Sequence, residues 1–355
     1  MDNLITKFDR LPISRTRLTI FIVVLIAASV LVPVATTWAH SPLFPEENHS
    51  LATAYQISDA AKSWATYTVL DHPDKGAYYK FTMSSGDKIN VSLITPDSPS
   101  NSGFLPSFAL LVPGLAPNNS VPAYIEIPIG YGTIVVNGTD PGQATYEAFS
   151  PGWFYELASL TMNAPKDGTY YVVVFDNAHK SGNYGLPVGY IEEFTPIEIV
   201  MVPYNVHVVY AWEGQNQFVT LLPIILILIV GGIMLYWRSK QGMAPKGISK
   251  WLAAFAGLAF LGSAASTIYQ MLLAFSVTGA KGEAVFTLLF VTISIVLGVP
   301  TLMYAVRDKP TLTPWRRAAL IVIGMIALFG WSGLYFGPAL AILAALLPPY
   351  TTKKE

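Results

Sequence analysis

The sequence contains no cysteine, which excludes a disulfide framework, thiolate metal sites and a cysteine nucleophile. Charge is scarce too: 12% of the 355 residues are Asp, Glu, Lys or Arg, against 52% hydrophobic ones, a balance wrong for an ordinary soluble enzyme. With a net charge of -1 there is no basic face to displace counterions from nucleic acid, and no RNA- or DNA-binding motif occurs. Gly-x-Ser-x-Gly, His-Glu-x-x-His and phosphate-cradling glycine loops are also missing, so no catalytic set can be assembled. The long apolar runs at 218–237, 251–275, 285–306 and 318–347 hold no Asp, Glu, Lys, Arg or His. Pumps and coupled transporters need such groups, or broken helices, at mid-membrane, so their lack argues against transport.

What is present falls into two populations. Residues 1–17 carry Lys7, Arg10, Arg15 and Arg17, and the run 18–35 is apolar and uncharged, the order of an export signal or signal anchor over 1–39. Small residues in Thr37-Trp38-Ala39 would allow cleavage and leave His40 as the new N-terminus. A run of about 18 apolar residues is equally able to stay as a spanning helix. Residues 40–194 are then polar and rich in β-branched and aromatic runs, at 64–70, 77–83, 89–95, 108–112, 123–129, 132–136, 154–162, 169–175 and 184–188. Turn clusters such as Asp71-His72-Pro73-Asp74-Lys75-Gly76 separate them. The spacing predicts an all-β, jelly-roll-like sandwich, with 169–175 and 184–188 paired as a β-hairpin.

Tyr78-Tyr79-Lys80-Phe81, Ser85-Gly86-Asp87-Lys88-Ile89, Gly168-Thr169-Tyr170-Tyr171 and Gly182-Asn183-Tyr184-Gly185-Leu186 resemble the bacterial pre-peptidase C-terminal (PPC) domain. That family's pattern is a Tyr-x-Phe strand, a Gly-Asp turn, a Gly-x-Tyr-Tyr strand and a Gly-x-Tyr-x-Leu strand. The resemblance covers residues 48–190, with a long insert at 96–146, and implies an accessory β-module rather than a catalytic one. Asp167-Gly168-Thr169-Tyr170 through Phe175-Asp176-Asn177 is also similar to the GOLD domain of membrane trafficking proteins, again a β-sandwich. PPC-like modules place acids in turns that hold calcium, so Asp71, Asp74, Asp87, Asp97, Asp167 and Asp176 are calcium candidates by resemblance. None of them sits in a calcium-loop pattern, and solvated turn-formers are the competing reading.

Residues 195–217 mix Pro, Tyr, Trp and His with Val and Ile, as an interfacial segment does. Residues 218–350 form a four-helix transmembrane region (218–237, 251–275, 285–306, 318–347), followed by the tail 351–355. Arg238, Lys240, Lys246 and Lys250, then Arg307, Lys309, Arg316 and Arg317, place those loops in the cytoplasm and the β-domain outside the plasma (cytoplasmic) membrane. The 318–347 run exceeds one upright span of about 20 residues. It is expected to cross once, with Lys353-Lys354-Glu355 outside, a re-entrant hairpin being the alternative.

Three functional readings follow. In the first, a non-enzymatic multipass protein uses its exported β-domain to recognise a partner protein, polymer or small ligand, while the helices meet lipid and another membrane or cell-surface protein. Tyr131 and Trp153 are its candidate anchors, aromatic rings being common at recognition surfaces but commoner still in a core. In the second, copper is handled through His40, whose α-amine and ring nitrogen chelate together once Ala39 is removed, with His49, His72 or His179 completing the site. Lone surface histidines are the plainer reading of all four. In the third, a membrane enzyme or transporter takes a lipid-like molecule along the polar face Ser263, Ser266, Thr267 and Gln270. The simpler account makes Gly262 and Ser266 helix-packing positions and Gln270 an interhelical contact. Asn48, Asn90, Asn118 and Asn137 begin Asn-x-Ser/Thr glycosylation sequons.

Overall fold

The computed structural model describes residues 40–98, 101–118, 120–243, 245–307 and 313–347. The signal or anchor segment, its cleavage point and the C-terminal tail lie outside them. The β-domain is a sandwich of two mixed sheets. One is six-stranded in the order β1 (Ser41–Leu43), β3 (Trp64–Leu70), β11 (Gly182–Val188), β5 (Lys88–Thr95), β9 (Gly152–Asn163), β8 (Thr145–Glu147). The other is five-stranded: β2 (Tyr55–Gln56), β4 (Ala77–Met83), β10 (Gly168–Phe175), β6 (Ser107–Pro113), β7 (Tyr131–Val136). Side chains alternate across each strand, so Phe81, Val91, Leu93, Leu110, Tyr170, Val172, Tyr184 and Leu186 meet in one dry core. Burying phenols requires partners for them, and the Tyr79 and Tyr184 hydroxyls satisfy each other at 2.6 Å.

Two expectations fail here. The expected hairpin does not form: β10 pairs with β4 and β6, whereas β11 pairs with β3 and β5, so consecutive strands cross between sheets. Both inner faces still reach the shared core, which is why the residue pattern fits either arrangement. Residues 123–129 form turns rather than a strand. Pro122 precedes them and Pro128 lies within them, and neither supplies an N–H for a ladder. Instead Ile125 is buried in a second apolar cluster with Tyr78, Leu111, Val173 and Phe175, and the Glu126 N–H donates to the Tyr78 hydroxyl at 2.8 Å. With a core on each side, β10 reads as a continuous apolar run instead of alternating.

Helix α1 (Pro196–Trp212) starts at a capping box, Thr195 with Glu198, which satisfies two otherwise orphan N–H groups. It is fixed to the sandwich at both ends. Lys62 bridges to Glu198 at 2.7 Å; burial alone would raise the Glu198 pKa, but Lys62 and the Thr195 cap more than offset it, and the net shift is downward. At the other end the Trp212 indole donates to Thr68 O and Tyr184 O, and Asn183 Nδ2 donates to Trp212 O at 2.6 Å.

Among the described residues, three helices are long and apolar enough to cross a membrane: α2 (Gln217–Lys240), α3 (Ile248–Thr278) and α4 (Ala284–Val306). α3 is the central one. A Cβ on Gly257 would lie 2.8 Å from Leu302 N, and one on Gly262 3.1 Å from Ile224 Cα, so small residues let α4 and α2 approach it closely. The sandwich docks on this bundle where the Thr287 hydroxyl donates to Ala148 O and meets the Tyr146 hydroxyl, both at 2.7 Å.

The final apolar run is not one continuous helix. It breaks into α5 (Pro314–Phe329) and α6 (Phe336–Leu346), each shorter than the roughly 20 residues of an upright span. Trp331, Gly333 and Leu334 take left-handed φ between 53° and 76° in the connecting turn, a conformation that stops a right-handed helix. α6 then folds back along α5, with Ile342 against Gly324 and the Ser249 hydroxyl donating to Ala344 O. The second arm thus returns to the level where α3 begins.

Candidate metal site

Three ligand-type side chains converge where the chain leaves β3. Asp71 and His72 open the turn after Leu70, which Lys75 N–H closes on His72 O at 3.0 Å. Gly76 ends that turn at φ +74°, where a Cβ would lie 2.8 Å from Ile125. His49 arrives from the segment before β2, positioned by its neighbour: Tyr78 N–H donates to Asn48 O at 2.7 Å, and Asn48 Nδ2 donates to Tyr78 O at 3.1 Å. The two imidazoles stand edge to face with centroids 4.6 Å apart, and His49 Nε2 is 3.6 Å from Asp71 Oδ1. One donor atom from each residue lies within 4.8 Å of the other two. A shared metal with bonds near 2.0–2.1 Å needs donors no more than about 4 Å apart, and the Asp71 and His72 side chains that would close on it are exposed. His49 Nδ1 is buried and has no hydrogen-bond partner. The group opens on a cleft of about 590 Å³, with Lys75, Tyr124 and Glu126 on its walls.

Of the four histidines singled out in the sequence, the structure brings together His49 and His72 and adds Asp71. His179 lies against the Tyr124 ring, centroids 5.3 Å apart. His40 sits at the start of β1 with Nδ1 on the Ser63 hydroxyl, and burial pushes its pKa down to about 4. Asp87, Asp167 and Asp176 accept backbone N–H groups of Ser84, Ser85 and Lys180, the role of turn-formers. Asp71 was legible as a turn acid and, by resemblance, a calcium candidate; nothing local ties it to a histidine 22 positions earlier in the sequence.

The remaining candidates separate as follows. Tyr131 is half-buried and its hydroxyl donates to Thr169 O. Trp153 packs beside Tyr146, Met271 and Phe275 in the seam with the helices. Asn48 is buried, Asn90 and Asn118 donate to Gly189 O and Thr133 O, and Asn137 is exposed.

The polar face of α3 forms a second constellation. Ser266 donates to Thr220 O, Ser263 accepts from Gly333 N–H, and Gln270 Nε2 donates to Gln215 Oε1 at 2.9 Å. Gln215 in turn donates to Glu213 Oε2 at 2.8 Å. Burial raises the Glu213 carboxyl to about 8 and that of Glu147 to about 7; the Glu147 charge adds to the shift of Glu213, and the Glu192 charge to that of Glu147.

No family model and no curated protein matches this sequence. Among solved structures, the chain is similar to the pre-peptidase C-terminal domain of a collagenase from Bacillus anthracis, at 19% identity over 40% of this chain and 94% of that one, TM-score 0.22. It is similar to CorA, a surface-associated copper-binding protein of Methylomicrobium album BG8, at 15% identity over 43% of this chain and 99% of that one, TM-score 0.23. A third is the secreted copper-binding protein MopE of Methylococcus capsulatus, at 12% identity over 33% and 70%, TM-score 0.15. The first is the family that Tyr78-Tyr79-Lys80-Phe81 and Gly168-Thr169-Tyr170-Tyr171 resemble. At these scores none of the likenesses carries an argument about function.

Proposed function

We propose that this protein is a non-enzymatic, membrane-anchored β-domain that binds a transition-metal ion, copper first among them, through His49, Asp71 and His72 on the extracytoplasmic side. The observation that carries the reading is the convergence of those three donors within 4.8 Å at the mouth of an open cleft. Two imidazoles and a carboxylate suit copper or zinc, whereas calcium takes oxygen donors throughout. Among divalent first-row ions the affinity order peaks at Cu²⁺. Three protein ligands leave a coordination position open, as suits a site that loads and releases its ion. The helices supply the tether, and the Tyr146–Thr287 and Lys62–Glu198 contacts hold the domain against it.

The test is metal content and Cu²⁺ titration of the full chain in nanodiscs. The wild type is expected to hold one copper per chain, and His49→Ala or His72→Ala to weaken it by more than about a hundredfold, beyond the roughly 10–100-fold loss typical of a supporting partner. His40→Ala and His179→Ala are expected to leave it unchanged. Undiminished copper in a His49→Ala, His72→Ala double variant would overturn the assignment.

A further inference from the structure

A second cavity lies among the helices, under the sandwich. It has about 100 Å³ of free space, room for several waters or a molecule of a few heavy atoms. Its walls come from α1, α2, α3, α4, the α5–α6 turn and the β-domain loop at Phe149–Pro151. Two of its polar atoms are buried with no partner: Gln270 Oε1, on a side chain 1% exposed, and His207 Nδ1. Leaving a buried acceptor unsatisfied costs about 1–3 kcal/mol, so such an atom inside a cavity marks a place where something else supplies the donor.

The surroundings fix what that donor is. The Gln270 amide is oriented by a chain of hydrogen bonds, since its Nε2 is spent on Gln215 Oε1, whose own Nε2 is spent on Glu213. Glu213 Oε2 accepts at the end of this chain, which leaves Oε1 as the unused atom of the Gln270 amide, on a residue that lines the cavity. Trp331, the opposite wall, is also held in place. Pro203 has no N–H to give Ile199 O, four residues earlier in α1, and the Trp331 indole fills that carbonyl at 2.8 Å. The ring then stands against Phe290 and Phe149, centroids 4.9 and 4.8 Å away. Among the described residues, no Asp, Glu, Lys or Arg lines the space. Burial lowers the pKa of His207 and raises that of Tyr210, so both stay neutral near pH 7. An ion here would lose its hydration without a counter-charge.

We infer that this cavity is a binding site for a small uncharged molecule with an N–H or O–H donor at one end and a short apolar body, the donor resting on Gln270 Oε1 and the body between Ile224, Phe290 and Trp331. The alcohol and primary-amide classes have this form.

Two isosteric probes test it on the full chain in nanodiscs: acetamide, which has the N–H donor, and acetone, which lacks it. Saturation-transfer NMR is expected to show saturable acetamide binding, with acetone weaker by about fivefold or more, the worth of one neutral hydrogen bond. Gln270→Leu should bring acetamide down to the acetone level, and His207→Phe should weaken it as well. The contrast between probes on the wild type needs no variant, so a misfolded Gln270→Leu does not blunt the test. Equal binding of both probes, no saturable acetamide binding, or a folded Gln270→Leu protein that binds acetamide like wild type would each overturn the inference.

Discussion

The sandwich and the helical bundle are packed by opposite means. The β-domain core is built from large rings and branched chains, with Tyr78, Tyr79, Phe81, Phe108, Tyr170, Phe175 and Tyr184 fully buried. Many buried residues of the bundle are small, Ala253, Ala254, Ala256, Ala259, Ala274, Ala305, Ala341 and Ala344 among them, beside a few large ones such as Phe260 and Leu258, and many of its large residues, such as Leu226, Ile229, Ile233 and Met234, are exposed. Water and lipid explain the inversion. In water, removing apolar area from solvent is itself the driving force, so big side chains go inside. In lipid that force is absent between helices, and association depends on close backbone approach and interhelical hydrogen bonds.

Cavity and overpacking variants set the two regions against each other. Phe81→Ala is expected to cost the sandwich about 3–5 kcal/mol, read as loss of protection from protease between β3 and β11. Gly257→Leu should act in the other direction, forcing α3 from Leu302 and Gly298 for about 1–3 kcal/mol, while the β-domain stays protected. A Gly257→Leu protein whose sandwich opens as readily as that of Phe81→Ala would show the two cores to be one cooperative unit.

The seam between them is sharpened by pH. Glu147 and Glu213 are raised from 4.5 to about 7 and about 8, so between pH 4.5 and 8 the folded state keeps protons that the unfolded state has released. Their contribution to stability is therefore most favourable below about pH 4.5, declines as pH rises, and levels off above about 8, a change on the order of a few kcal/mol. Glu213→Gln keeps the acceptor for Gln215 and removes one titrating group. Thermal unfolding of this variant from pH 5 to 8 is expected to show a flatter slope than wild type; an unchanged slope would mean that Glu213 ionises freely in the fold.

The strands at 64–70 and 77–83 were legible residue for residue, because period-two patterning and turn clusters are local signals. The pairing of 169–175 with 184–188 was not, since a hairpin and a crossing between sheets bury the same residues. The three long helices were equally plain from apolar length, whereas the 318–347 run concealed a turn set by left-handed Trp331 and Leu334, positions where no propensity signals that conformation. Gln270 was recognisable as the polar side chain of α3, but its partner Gln215 lies 55 residues away on another segment. The same distance problem hid the metal group. His49 and His72 were candidates one by one, and only the docking of Asn48 onto Tyr78 brings them together with Asp71.

Electron paramagnetic resonance of the Cu²⁺-loaded full chain tests the central claim most directly. Coordination by His49, Asp71 and His72 is expected to give coupling to two imidazole nitrogens, falling to one in His49→Ala. A third nitrogen coupling that persists in the His49→Ala, His72→Ala variant and disappears in His40→Ala would contradict it, and would place the ion at the start of β1.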